Sequence, residues 1–110
     1  MNQDQLVGLR VEITRRLLAV CAPQQIILFG SHARGEAGPD SDIDLLVIAD
    51  EIESPRSESV RLRRALRGLG VPIDVIVATP QQIERYRDAI GLIYRSALRE
   101  GEVIYERAAA

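Results

Sequence analysis

A chain of 110 residues with 46% apolar and 27% charged content is expected to form one soluble compact domain spanning residues 1–110, and its composition excludes a disordered or fibrous class. The formal net charge of −2 is too mild to point by itself to nucleic acid or a membrane. All 14 basic residues are arginine, a bias from which no function follows.

In chain order, residues 3–21 read as an amphipathic helix, with Leu6, Leu9, Ile13, Leu17 and Val20 at helical spacing. "APQQ" interrupts it at Pro23. "IILF" (26–29) is a short apolar run rich in β-branched residues and predicts a buried strand. "GSHARGEAGPDS" reads as a loop, and "DIDLLVIA" as a second strand. "SPRSESVRLRRALRGLG" predicts a helix with Pro55 in its first turn, and "VPIDVIVAT" a third strand. "TPQQIERYRDAIGLIYRSALREG" predicts one further helix, capped by Thr79, with Ile83, Tyr86, Ile90, Ile93, Tyr94 and Ala97 as its core stripe. "EVIYE" adds a short last strand. The order is α-β-β-α-β-α with a final β, an α/β (α+β) arrangement.

Cys21 is the only cysteine, which excludes an intrachain disulfide and a cysteine-rich zinc site and fits a reducing cytoplasm. The opening "MNQDQLVGLR" has no basic segment followed by an apolar core, so no signal peptide is expected. No apolar run approaches the roughly 20 residues that span a bilayer.

The chemistry concentrates in residues 28–47, "LFGSHARGEAGPDSDIDLLV". Side chains alternate across a strand, so Asp42 and Asp44 share one face while Ile43 and Leu45 take the other. Two like charges ~7 Å apart on one face are unfavourable unless neutralised, and a divalent cation with hard oxygen ligands, Mg²⁺ or Mn²⁺, does this well. Asp74 interrupts "VPIDVIVA", where an unpaired carboxylate is costly. If that strand lies beside residues 42–48, three carboxylates gather, enough to hold two metals for in-line phosphoryl or nucleotidyl transfer. Taken singly, each aspartate reads as a strand-end residue or an arginine partner. The case comes from combining them with Gly30-Ser31, where glycine lets phosphate oxygens approach the backbone, serine supplies a hydroxyl and an N–H, and Arg34 adds charge. His32, the single histidine, is assigned no role.

Gly30-Ser31, ten residues, then Asp42-Ile43-Asp44 resembles the signature of the DNA polymerase β-like nucleotidyltransferase superfamily, and "FGSHARGEAGPDSDIDLLV" resembles its small prokaryotic branch, the minimal nucleotidyltransferases or MNT proteins. The resemblance implies a mixed β-sheet flanked by helices, with Asp42, Asp44 and Asp74 as catalytic metal ligands. It implies that Gly30 and Ser31 hold the triphosphate of the incoming nucleotide. A hydroxyl would attack the α-phosphate with pyrophosphate leaving, and Asp74 would help to deprotonate it. Many MNT proteins pair with a helical HEPN toxin and adenylylate one of its tyrosines with ATP, so the resemblance implies a HEPN partner, ATP as substrate and an antitoxin role in a type VII-like pair. No R-x4–6-H motif of a HEPN ribonuclease is present. Two alternatives stand beside this: a non-catalytic antitoxin that acts by occlusion, and a transferase acting on a small molecule or RNA end.

The short chain leaves no residues for a second substrate-gripping domain, so a partner is expected to supply the acceptor and close the cleft. Arg56, Arg63, Arg64 and Arg67 fall on one side of the second helix, opposite Leu62, Leu66 and Leu69. That face reads as solvated, with an acidic partner or RNA as the alternative. DNA binding is not expected, and a single phenylalanine without tryptophan leaves no stacking platform for RNA.

Overall fold

The computed structural model describes residues 3–30, 42–50, 52–87 and 93–108. Helix α1 (Gln3–Val20) leads into strand β1 (Gln25–Phe29), followed by β2 (Ile43–Ile48), α2 (Pro55–Ala65) and β3 (Ile73–Ala78). Two short helices, α3 (Pro80–Tyr86) and α4 (Ile93–Glu100), precede the last strand, β4 (Glu102–Glu106). Where the apolar spacing predicts one continuous third helix, the described residues form these two. Ile90 of the expected core stripe lies outside the described residues, as do the side chains of Ile93 and Tyr94. Among the described residues, no helix is long and apolar enough to cross a membrane.

The sheet is mixed, as the resemblance implies. Its order is β3-β2-β1-β4, with β1 antiparallel to both β2 and β4, and β2 parallel to β3. Both faces are covered, which explains why β2 and β3 read as nearly unbroken apolar runs rather than as alternating ones. One face packs Leu28, Ile43, Leu45, Val47, Val75 and Val77 against Ile13 and Leu17 of α1 and Leu62 of α2. The other packs Phe29, Leu46, Ile48 and Ala78 against Ile83 of α3 and Ala97 of α4. The α1 stripe ends earlier than its spacing predicts: Leu17 is fully buried, while Val20, in the last helical position, stays 39% exposed. There the backbone carbonyl of Val20 accepts a hydrogen bond from Arg61 at 2.7 Å, which ties α1 to α2.

The helix starts follow local chemistry. Ser54 caps α2, its hydroxyl accepting from the Ser57 N–H at 3.3 Å, with Pro55 at the first position. Thr79 and Gln82 form a reciprocal capping box at α3, at 3.2 and 3.0 Å, so the chain turns into a helix directly after β3. Further ties hold β3 in place. The Ser59 hydroxyl of α2 donates to the Val75 carbonyl, the Ile43 N–H donates to the Pro72 carbonyl at 2.9 Å, and the Ala49 N–H donates to the Ala78 carbonyl at 3.0 Å.

Candidate active site

Strands β2 and β3 run in the same direction and pair residue for residue from Ile43↔Ile73 to Ile48↔Ala78, so Asp44 and Asp74 are direct cross-strand partners. Parallel neighbours at ~4.8 Å spacing project paired side chains to the same face. Asp42, two residues before Asp44, precedes β2 at the same end. Asp42 and Asp74 are exposed and Asp44 is half-buried. The face that carries Asp44 and Asp74 is the one that farther along holds Leu46, Ile48 and Ala78 beneath α3 and α4. The acids thus occupy the end of that face where the two parallel strands begin.

Strand β1 brings the third component. Phe29 pairs with Asp44 across the antiparallel β1–β2 ladder, so Gly30 leaves β1 beside that carboxylate. Gly30 has φ 78°, the left-handed region that favours glycine. A β-carbon built there would overlap a carboxylate oxygen of Asp44 and lie 3.3 Å from its Cγ. The need for glycine is therefore double: a backbone angle that other residues resist, and space that Asp44 occupies. Ser31 and Arg34, the other two residues expected to bind the nucleotide, lie outside the described residues, as does His32.

The donor set is all carboxylate, which suits a hard divalent cation such as Mg²⁺ or Mn²⁺. Among the described residues, no three His, Cys, Asp or Glu side chains are placed close enough together to hold a metal ion. The backbone register pairs Asp44 with Asp74, and Asp42 precedes β2 at the same strand end.

Sequence reasoning leaves open what lies on the far side of β3. There the end of α2, the connection 66–72 and the start of β3 enclose a cleft of about 530 Å³, with Arg63, Arg64 and Arg67 in its walls and Asp74 at its margin. The three arginines are visible in the sequence as one face of a helix. That this face opens beside Asp74 follows only from the position of β3 at the sheet edge.

The mixed sheet, with Asp44 and Asp74 paired at one strand end and Gly30 beside Asp44, is the kind of arrangement that the resemblance to nucleotidyltransferases implies. The nucleotidyltransferase domain family matches residues 11–104. A Methanocaldococcus jannaschii protein that carries the name protein adenylyltransferase is 33% identical over 82 residues, covering 74% of this chain and 78% of the relative. The bifunctional uridylyltransferase/uridylyl-removing enzyme of Xanthomonas oryzae is 34% identical over 89 residues, and there the chain spans only 10% of the relative's length. Among solved structures, one described as a minimal nucleotidyltransferase superposes with a TM-score of 0.65 at 32% identity, covering 93% of this chain and 95% of the other. The complex of a tri-AMPylated Shewanella oneidensis HEPN toxin with an MNT antitoxin shares the fold, with a TM-score of 0.63 at 20% identity over 94% of this chain and 73% of the other. The chain belongs to the nucleotidyltransferase domain family, in its minimal, MNT branch.

Proposed function

We propose that this chain is a Mg²⁺-dependent nucleotidyltransferase that moves AMP from ATP onto a tyrosine hydroxyl of a HEPN toxin, and so acts as the antitoxin of a toxin–antitoxin pair. The observation that carries the reading is the Asp44↔Asp74 register, with Gly30 packed against Asp44. It is supported by the adenylyltransferase name of the M. jannaschii relative. It is also supported by shared folds with a toxin–antitoxin complex holding AMP-PNP and with the AMPylated HEPN complex.

In this mechanism Asp42, Asp44 and Asp74 would hold the cation, which when bound supplies charge neutralisation at the α-phosphate and orients the triphosphate. The turn after β1 receives the phosphates on the Gly30 side, with Ser31 and Arg34 donating to their oxygens. The acceptor approaches from the β3 side. Its tyrosine hydroxyl gives its proton to the Asp74 carboxylate as the new phenolate O–P bond forms. The bond from the α-phosphorus to the bridging oxygen breaks, and pyrophosphate leaves with that electron pair.

The test is incubation with α-labelled ATP, Mg²⁺ and a HEPN-family protein drawn from the same genome, comparing the wild type with Asp42→Asn/Asp44→Asn. The wild type should label its partner on tyrosine, and the double variant should lose at least about 10²-fold of that rate. Since the acids are not already gathered around a cation position, neutralisation by occlusion is the rival reading. Neutralisation that survives the double substitution with no label moved would favour the rival and reject transfer.

A further inference from the structure

Across the acidic end, the sheet order places Gly30 on β1, Asp44 on β2 and Asp74 on β3 in sequence. The triphosphate turn thus lies on one side of the carboxylates, and the arginine-walled cleft lies on the other, beyond edge strand β3. Arg63, Arg64 and Arg67 are all exposed there. Several arginines elsewhere are paired with carboxylates: Arg15 and Arg16 with Glu12, Arg61 with Glu58, Arg10 with Glu102 and Arg107 with Asp50. Among the described residues, no carboxylate pairs with the guanidinium groups of Arg63, Arg64 or Arg67. Glu58, the nearby acid on the same helix, is already engaged by Arg61 at 2.5 Å.

The last turn of α2 explains part of this charge, because arginines there complement the negative end of the helix. It does not explain Arg67, which follows the helix, nor why the three line one concavity with an apolar wall of Leu69 and Val71. Concentrated positive charge over an apolar floor fits an acidic polypeptide, whose side chains can use both. It fits RNA less well, since no aromatic side chain lines the cleft to stack a base.

We infer that this cleft docks an acidic segment of the acceptor protein, and that Arg63, Arg64 and Arg67 select a tyrosine flanked by carboxylates and lead its hydroxyl to Asp74. The docking itself is a statement about binding; naming its occupant as the acceptor rests on the transferase reading above. The arginines are positioning residues and touch no reacting atom.

The probe is a fluorescein-labelled peptide with a central tyrosine flanked by glutamates. A lysine-flanked counterpart and a single-stranded RNA oligonucleotide are run in parallel, with binding read by anisotropy without nucleotide. Wild-type protein should bind the acidic peptide about tenfold or more tightly than Arg63→Gln/Arg64→Gln/Arg67→Gln does, with affinity falling as salt rises. Changing the same three residues to glutamate should reverse the preference towards the lysine-flanked peptide, a gain that unfolding would not produce. Equal binding by wild type and the glutamine variant, or arginine-dependent binding of the RNA in place of the peptide, would overturn the inference. Failure of the transferase reading looks different: peptide binding through the arginines persists, and no label reaches any tyrosine.

Discussion

Replacement of Gly30 by alanine tests whether the turn after β1 and Asp44 work as one unit. Two costs are predicted, and the structure separates them. The first is conformational: at φ 78° a residue with a β-carbon is disfavoured by about 1–2 kcal/mol. The second is steric, since the new methyl overlaps the Asp44 carboxylate. Relief requires Asp44 to rotate off its position or the turn to move away from β2. Gly68 provides the control. It has φ 84°, and a β-carbon there meets nothing within 4 Å. Gly68→Ala should therefore lose about 1–2 kcal/mol in urea unfolding with Mn²⁺ affinity unchanged. Gly30→Ala should lose at least as much stability and, in addition, about 10–100-fold in Mn²⁺ affinity, the usual effect of displacing a ligand's support. Urea unfolding reads the stability of all three proteins, and calorimetric titration of Mn²⁺ with a non-hydrolysable ATP analogue reads the affinity. If Gly30→Ala and Gly68→Ala bind Mn²⁺ equally well, the contact with Asp44 is only packing and the coupling argument fails.

Other outcomes follow from the packing and the charges. Leu45 is fully buried opposite Leu28, so Leu45→Ala should destabilise by about 2–5 kcal/mol in urea unfolding with little change in m-value. Hydrogen bonds from Arg15 and then Arg16 hold the Glu12 carboxyl down at about 2, from an ordinary 4.5. Because the folded value is the lower one, the contribution is complete above about 4.5 and fades as pH falls towards 2. The urea midpoint of Glu12→Gln should therefore lie below that of wild type at pH 7, with the gap closing between those two values; a pH-independent gap would contradict the assignment. Burial, aided by the negative charge of Glu58, pushes the Cys21 thiol up. At pH 8 the native protein should therefore react with a disulfide reagent more slowly than the urea-unfolded chain does, and equal rates would refute this.

Different parts of the site differ in how far local sequence exposes them. Asp42, Asp44 and Asp74 stand out because each interrupts or adjoins apolar chain, where a carboxylate is expensive without a reason. Gly30 stands out only by its position between a strand and those acids. The pairing that makes the acids neighbours is non-local. Nothing in "VPIDVIVA" states that it runs parallel to β2 rather than hairpins against it, and the crossover through α2 decides this. The placement of β4 against β1, at the opposite edge from β3, is likewise set by the whole sheet and not by "EVIYE". Local periodicity misleads at one place: Val20 continues a stripe in α1 although the core has already ended at Leu17. The apolar spacing from Ile83 to Ala97 suggests a single helix; the described residues form α3 and α4 on either side of residues 88–92, which lie outside them. Arginine spacing in α2 indicates a basic face. Only the edge position of β3 reveals that this face borders Asp74.

Residues from two parallel strands and the segment just before them are proposed to share a divalent cation. Crystals grown with Mn²⁺ and a non-hydrolysable ATP analogue, measured at a wavelength where manganese scatters anomalously, address it directly. An anomalous peak bounded by the carboxylates of Asp42, Asp44 and Asp74 is expected, with the analogue's phosphates on the Gly30 side. Manganese bound at other carboxylates, or an analogue seated away from that strand end, would contradict it.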